Sequence, residues 1–435
     1  MKIKTLCVLG LGYTGLPTAS TFATHGIQVV GVDNNPRIVE TLQGGGLHIY
    51  EPGLRTLVQA AIGSGNLVIS DHPTPADAFV IEVPTPFYDD KRADLRAVTS
   101  ATEAIVPHLR KGNLVVLEST SPPMTTVNLL APILEQSGLQ AGEDFYLAYS
   151  PERVMPGQIL REIIENDRVI GGIDRASAEA ARDLFSIFVR GDIFLTDATT
   201  AEMVKLMENT YRDVNIALAN EFARQAERFG VDIWEAIPIA NRHPRVKILR
   251  PGTGVGGHCI SVDPWFLVEA APDLSQLIET ARRVNDGQPH HVLDLICRAS
   301  GKNELSGIRI AALGLAYKED VDDLRESPAI EVVQLLVESG AVVKAYEPNR
   351  VDAQLPGITT TSSLDEAIYD AEAIVLLVGH SVLKNLDPGE ILKKTHARIL
   401  VDCVNGWSVP AWKQNGFELY RLGDGKKRHM ITHAS

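Results

Sequence analysis

The chain has 435 residues, 45% of them hydrophobic and 22% charged, which at about 150 residues per domain supplies two or three domains with substantial cores and excludes a short module or a disordered chain. Lys and Arg number 41 against 55 Asp and Glu, a net charge of -14, so there is no global electrostatic footprint for nucleic acid or an anionic membrane, although an anionic small molecule can still bind locally. The four cysteines, Cys7, Cys259, Cys297 and Cys403, are too few and too scattered for a disulfide framework or a metal site, which points to a reducing compartment. Met1 to Lys4 followed by the apolar run Leu6 to Leu16 has the outline of a secretory signal, but glycines interrupt the run. No later stretch reaches the roughly 18 apolar residues that a membrane span needs, and a cytoplasmic protein is expected.

From residue 1 to 198, β-branched runs alternate with helical stretches. Strands are predicted at Lys4 to Leu9, Gln28 to Val32, Leu67 to Ser70, Ala78 to Glu82, Leu114 to Glu118 and Val169 to Gly172, with a further short apolar run from Phe145 to Tyr149. That alternation implies βαβ units and a parallel sheet. Thr199 to Gly230 reads as one long helix without internal Gly or Pro, started by Thr199 and Thr200 and stopped by Gly230. A second strand series follows at Ile308 to Gly314, Ala341 to Tyr346, Ala373 to Val378 and Ile399 to Val404, with a helix from Pro328 to Ser339. The predicted fold is α/β: two Rossmann-like parallel-sheet domains, 1–198 and 304–422, joined by a central helical domain, 199–303, with 423–435 as a poorly ordered tail.

After the first strand comes Gly10-Leu-Gly12-Tyr13-Thr-Gly15, then a helix, then a second strand ending at Asp33. This is the full context that a lone GxGxxG lacks. The glycines permit a tight turn and close approach of backbone to a pyrophosphate, and the helix N-terminus offers N–H donors. Asp33 stands where a carboxylate accepts from ribose hydroxyls and repels a 2'-phosphate, favouring NAD over NADP; Arg37 tempers that preference. Val83-Pro84-Thr85-Pro86 and Glu118-Ser-Thr120 follow strand ends and are predicted to line the nicotinamide side, against the plainer reading of proline-containing turns.

Pro251-Gly-Thr-Gly-Val-Gly256-Gly-His-Cys259-Ile-Ser-Val-Asp263 is the segment with most chemistry. A single cysteine is ordinarily a small buried hydrophobe. Here the glycines before it allow close approach to a ligand, His258 can favour thiolate, and a carboxylate follows, so Cys259 is a candidate nucleophile. On the long helix Lys205, Asn209 and Arg212 share a face. The alternative is a solvated face; on a buried helix, these groups require a ligand or partner to satisfy them. Val204, Met207, Tyr211, Val214 and Leu218 form a separate apolar stripe. Glu152 and Arg153, in Ser150-Pro-Glu-Arg, lie at another predicted strand end.

Taken together these segments, with Gly314 to Pro328, resemble the UDP-glucose and GDP-mannose dehydrogenase family of nucleotide-sugar 6-dehydrogenases over nearly the whole chain. Asn241-Arg-His243-Pro-Arg245-Val, Gly254 to Ile260 and Val262 to Phe266 are most similar to the UDP-N-acetylmannosamine branch. The resemblance implies two successive hydride transfers from the sugar C6 to NAD, turning an alcohol into a carboxylate for bacterial surface polysaccharides. The same chemistry on UDP-N-acetylglucosamine, UDP-glucose or GDP-mannose is the alternative. It further implies that Asp263, Lys205 or a bound water takes the first proton, that Cys259 forms a thiohemiacetal and then a thioester, that Lys205 and Asn209 steady the oxyanion, and that Glu152 activates the hydrolytic water. By the same resemblance Thr120 lies beside cofactor and substrate, Arg325 approaches the cofactor pyrophosphate, and Tyr317 and Lys318 face the substrate nucleotide. Arg153, Arg212, His243 and Gly256 join the substrate site. Arg245 reaches the neighbouring subunit's substrate, implying a homodimer. Gly314-Leu-Ala316-Tyr-Lys, an incomplete GxGxxG, is expected to hold the sugar nucleotide.

Overall fold

The computed structural model describes residues 3–302 and 304–426. Its first sheet contains β1 (Thr5–Leu9), β2 (Gln28–Val32), β3 (Leu67–Ser70), β4 (Ala78–Ile81), β5 (Leu114–Leu117), β6 (Tyr146–Tyr149), β7 (Arg168–Gly172) and β8 (Ile193–Asp197), in the spatial order β3-β2-β1-β4-β5-β6-β7-β8. Alternate residues of β1 enter opposite layers: Leu6 and Val8 pack with Phe22 and Phe185, whereas Cys7 and Leu9 pack with Phe79 and Tyr149. That period of two, with β4 and β5 buried throughout, is what a sheet covered on both faces requires. The order reverses between β1 and β4, and the loops leaving these two strands carry Gly10 to Gly15 and Val83 to Pro86.

The expected parallel sheet includes one antiparallel pair. β7 runs antiparallel to β6, with Ala148 opposite Gly172 and Tyr149 opposite Gly171, and parallel to β8. Strand β8 was not predicted from the sequence, because its residues are only partly buried and give no clear alternation.

The second sheet, β9 (Arg309–Leu313), β10 (Val342–Tyr346), β11 (Thr359–Thr360), β12 (Ala373–Leu376), β13 (Ile399–Asp402) and β14 (Glu418–Arg421), is parallel and ordered β11-β10-β9-β12-β13-β14. This is the same arrangement as the first six strands of the larger sheet. The predicted helix between β9 and β10 spans Pro328–Glu338. The two-residue β11 and the mixed β14 lack the apolar run that marks the other strands.

The chain divides into two compact units, Met1–Glu208 with Trp265–Leu274, and Asn209–Pro264 with Ser275–Ser435. The expected central segment is thus shared between them, the division falling inside the long helix Ala198–Phe229. That helix departs from the ordinary amphipathic plan. Met203, Met207, Tyr211 and Leu218 are exposed, whereas Glu202, Asn209, Asp213 and Asn220 are buried. Beyond 422 the Gly423 N–H donates to Glu227 at 3.0 Å, its carbonyl accepts from Ile233, and Gly425 donates to Val231. The remainder of the expected tail, 427–435, lies outside the described residues.

In the second unit Arg282, 2% exposed, donates from Nη1 to Asp213 at 2.5 Å and also pairs with Asp286, while Asn285 donates to the Asp213 carboxylate at 2.8 Å. Burial raises the Asp213 carboxyl, and Arg282 and Asn285 pull against it. Arg282→Met leaves Asp213 buried without its cation and is expected to lower stability by about 3–5 kcal/mol, measured by urea denaturation. A loss below about 1 kcal/mol would mean that the pair is replaceable by apolar packing.

Candidate active site

The glycine turn after β1 has the shape that a dinucleotide demands. Gly10 has φ +97°, and a Cβ there would lie 2.3 Å from the Glu82 carbonyl oxygen. A Cβ on Gly15 would lie 1.9 Å from the Gly10 carbonyl oxygen, so only glycine lets the helix Gly15–Thr24 start this close to the strand. A Cβ on Gly12 would meet nothing within 4 Å, leaving open space where a pyrophosphate approaches the backbone. Asp33 accepts from the N–H of Leu11 at 3.0 Å and of Asn35 at 2.9 Å. Its carboxylate therefore braces the turn while standing at the strand end where ribose hydroxyls dock. The Arg37 side chain is exposed on the neighbouring helix.

The neighbouring loops are tied together by residues that sequence reasoning passed over. Ser119 Oγ accepts from the Val83 N–H at 2.9 Å and donates to the Val83 carbonyl at 2.8 Å, joining the loop of Pro84 and Thr85 to that of Thr120. Glu202 takes the N–H groups of Met124 and Thr126 at 2.6 and 2.8 Å and the Thr126 hydroxyl at 2.6 Å. Burial raises its carboxyl, against these bonds. A glutamate at the start of a helix gave only an electrostatic hint of such a brace.

Lys205 donates from Nζ to the Glu152 backbone carbonyl at 2.9 Å. The Glu152 carboxylate accepts from the Arg153 N–H at 2.7 Å and from Arg168 Nη2 at 2.8 Å. Arg153 pairs with Glu208 at 2.6 Å. In this unit Lys205, Glu152 and Arg153 lie together, with Arg168 bonded to Glu152.

In the second unit burial decides which cysteine is available for chemistry. Burial pushes the Cys7 thiol of the first unit up to about 12 and raises Cys403 and Cys297 as well; thiols held protonated are poor nucleophiles. Cys259 lies part-exposed in the glycine-rich turn. Its carbonyl accepts from the N–H of Asp263 at 2.8 Å, and the buried Asp263 carboxylate accepts from Asn209 Nδ2 at 2.6 Å. Asn220 accepts from the Gly252 N–H and Gln288 donates to the Gly252 carbonyl, anchoring the start of the same turn. His258, expected to favour thiolate, has Nδ1 4.0 Å from Asp323.

Tyr317 packs over the cysteine turn: a Cβ on Gly257 would lie 2.9 Å from its ring, and one on Gly256 would lie 2.3 Å from the Glu326 carbonyl. Burial raises the Tyr317 phenol, helped by Asp323 and Cys259. Arg325 is held by Asp323 through Nε at 2.9 Å and Nη2 at 2.7 Å, and Lys318 is part-exposed beside Tyr317. Arg212 is exposed on the long helix. His243 and Arg245 are exposed on a loop that Asn241 closes by bonding both N–H and carbonyl of Ile248 at 2.7 and 2.9 Å. The roles expected for Arg212, His243 and Arg245 rest on the resemblance.

Three family profiles cover the chain in order: the NAD binding domain of the UDP-glucose/GDP-mannose dehydrogenase family over 4–189, its central domain over 199–287 and its UDP binding domain over 311–408. The chain belongs to that family. Among similar proteins, a UDP-N-acetyl-D-mannosamine dehydrogenase of Methanocaldococcus jannaschii is 48% identical over 97% of both chains. An NDP-N-acetyl-D-galactosaminuronic acid dehydrogenase of Ralstonia solanacearum is 48% identical over 94% of this chain and 97% of its own. The solved structure of a UDP-D-ManNAc dehydrogenase from Pyrococcus horikoshii, 40% identical, matches with a TM-score of 0.89 over 97% of this chain and 100% of its own.

The protein is an NAD-dependent nucleotide-sugar dehydrogenase, and its two sheets show why only one suits a dinucleotide. In the UDP-binding sheet Glu347 occupies the place that Asp33 has in the first, one residue past β10, and accepts from Leu315 and Ala316 N–H at 2.6 and 2.9 Å. It is fully buried, and His380 Nε2 donates to it at 3.1 Å, the tautomer following from Nδ1 accepting the Asp320 N–H. The acid that would meet a ribose is thereby consumed inside the protein. For the first sheet, Asp33→Ala is expected to raise the NAD+ dissociation constant about tenfold or more, the worth of a charge-assisted bond plus a loosened turn. Titration calorimetry checks this, and unchanged affinity would mean that the ribose is held by other groups.

Proposed function

We propose that this enzyme oxidises the C6 hydroxymethyl of UDP-N-acetyl-D-mannosamine to the uronate in two steps, by way of a covalent adduct on Cys259. The observation that carries this reading is the bond from Asn209 to Asp263, whose own N–H is held by the Cys259 carbonyl: a catalytic amide and acid are fixed to the turn that presents the thiol. When bound, NAD+ supplies the hydride acceptor, used twice per sugar; Gly10, Gly12, Tyr13, Gly15, Asp33, Pro84, Thr85 and Thr120 form its side of the fold, with Arg325 directed to its pyrophosphate.

In this mechanism Asp263, Lys205 or a bound water accepts the C6 hydroxyl proton as the alcohol becomes an aldehyde. Cys259 Sγ then bonds to the aldehyde carbon, giving a thiohemiacetal that still carries a C6 hydrogen. Loss of that hydride from carbon and of the hydroxyl proton to the same base leaves a thioester. Water adds to its carbonyl carbon, Glu152 takes the water proton, and the carbon–sulfur bond breaks to give the carboxylate and the thiol. The ammonium of Lys205 and the amide of Asn209 oppose the negative charge that builds on oxygen in each tetrahedral species. Arg153, Arg212, His243, Gly256, Tyr317 and Lys318 serve substrate binding. We keep the three-part division as a functional one: 1–198 for NAD, 199–303 for the helix and cysteine turn, 304–422 for the sugar nucleotide.

A homodimer accounts for the exposed Met203, Met207, Tyr211 and Leu218 on the long helix, an apolar stripe that water would otherwise cover, and Arg245 completes the neighbour's site. Among the described residues no helix is long and apolar enough to cross a membrane; we assign the enzyme to the cytoplasm, supplying uronates for bacterial surface polysaccharide. A second sugar reading is favoured by the Ralstonia relative, whose name places a galactosamine derivative within a family at the same identity.

The test is NADH formed per sugar nucleotide consumed, with UDP-N-acetylmannosamine and its gluco and galacto epimers compared. Two NADH per sugar with the manno epimer preferred is expected; one NADH excludes the thioester, and another preferred epimer moves the substrate. Cys259→Ser is expected to abolish acid formation while NAD+ affinity stays near wild type. Lys205→Ala is expected to reduce turnover by about 100-fold or more, read in a steady-state NADH assay, whereas a loss below about threefold would make its contact to Glu152 purely structural.

A further inference from the structure

Behind Glu152 lies a buried ionic cluster to which the mechanism above gives no part. Arg168, 4% exposed, opens β7, and because β7 is antiparallel its first residue returns to the end of the sheet where β6 delivers Ser150 and Glu152. Continuing the register of Tyr149 with Gly171 brings position 152 opposite 168. The guanidinium forks: Nη1 bonds Glu118 and the Ser150 hydroxyl, the latter at 3.1 Å, while Nη2 bonds Glu152 at 2.8 Å. The Phe185 ring lies under it, 4.2 Å from the guanidinium carbon. Beyond Glu118 stands Glu82, fully buried, with Thr14 and Thr18 as its other polar neighbours.

We propose that Arg168 is the positioning residue that holds the Glu152 carboxylate aimed for hydrolysis of the covalent intermediate. This rests on the role given above to Glu152. Both Glu82 oxygens and Glu118 Oε2 are buried away from water, and two carboxylates facing each other in a dry interior persist only when a proton joins them. Burial raises both carboxyls, and for Glu118 the nearness of Glu82 adds to it. With that proton in place one positive charge faces two negative ones; without it Arg168 would face three. An arginine suits this place because its planar fork reaches Glu118 and Glu152 together, which a single ammonium does not.

The experiment uses the full-length enzyme with NAD+ and UDP-N-acetylmannosamine in stopped flow, comparing Glu152→Gln, Arg168→Met, Arg168→Lys and the charge-balanced Arg168→Met/Glu118→Gln. The double variant guards against failure to fold, since it removes the buried acid along with its cation. A burst of two NADH per active site followed by turnover slowed about 100-fold is expected for Glu152→Gln and for both Arg168→Met forms, the cost of a misplaced catalytic group. Arg168→Lys is expected to recover part of the rate. If Glu152→Gln shows no burst, the role of Glu152 itself falls. If Glu152→Gln bursts while the arginine variants turn over like wild type, or lose the burst together with turnover, Arg168 is not the positioning residue.

Discussion

Carboxylates withdrawn from water govern this structure. Each needs a cation, a set of N–H donors or a proton, and the way each finds one decides where the loops sit. Glu202 holds the loop after β5 by its backbone, Asp263 takes the amide of Asn209, and Asp213 takes Arg282. Glu118 and Glu152 divide one arginine. The apolar layers of the two sheets set the scaffold, but these polar bonds fix the side chains that the chemistry uses.

The long helix shows the same preference from another direction. Its buried face carries Glu202, Asn209, Asp213 and Asn220, and its exposed face carries methionines and Tyr211. Beside the buried Ala201, Leu206, Ala219 and Ala223, the helix presents a rail of hydrogen-bonding groups. Asn220 reaches the start of the cysteine turn at Gly252, and Asn209 reaches its end at Asp263. The turn is therefore held at both ends by one rigid element, leaving the thiol between them.

Much of this was legible in the residues. Strands such as Gln28–Val32 and Leu67–Ser70 are continuous apolar runs, and the glycine turn with Asp33 carries its own geometric logic. Lys205 and Asn209 could be paired on one face from their spacing alone. What stayed hidden depends on contacts distant in sequence: the antiparallel β7 has the same composition as a parallel strand, and Arg168 has no local feature that distinguishes it from a surface arginine. Glu82 and Glu118 read as the polar ends of apolar runs, with nothing to show that they meet. The exposed stripe of the long helix was visible as a stripe, but a single chain's periodicity does not say whether water or protein covers it.

The two sheets share a strand order and an acid at the same place, and they differ in what that acid is allowed to touch. In the second sheet His380 and the backbone N–H groups of Leu315, Ala316 and Asn349 all bond Glu347, and outweigh burial to keep its carboxyl below the ordinary glutamate value. Freeing Glu347 for a ribose would demand several coordinated changes. The division of labour between the halves is for that reason difficult to undo by mutation, and an engineer seeking to exchange cofactor or sugar specificity can alter one half with little risk that the other will take over its ligand.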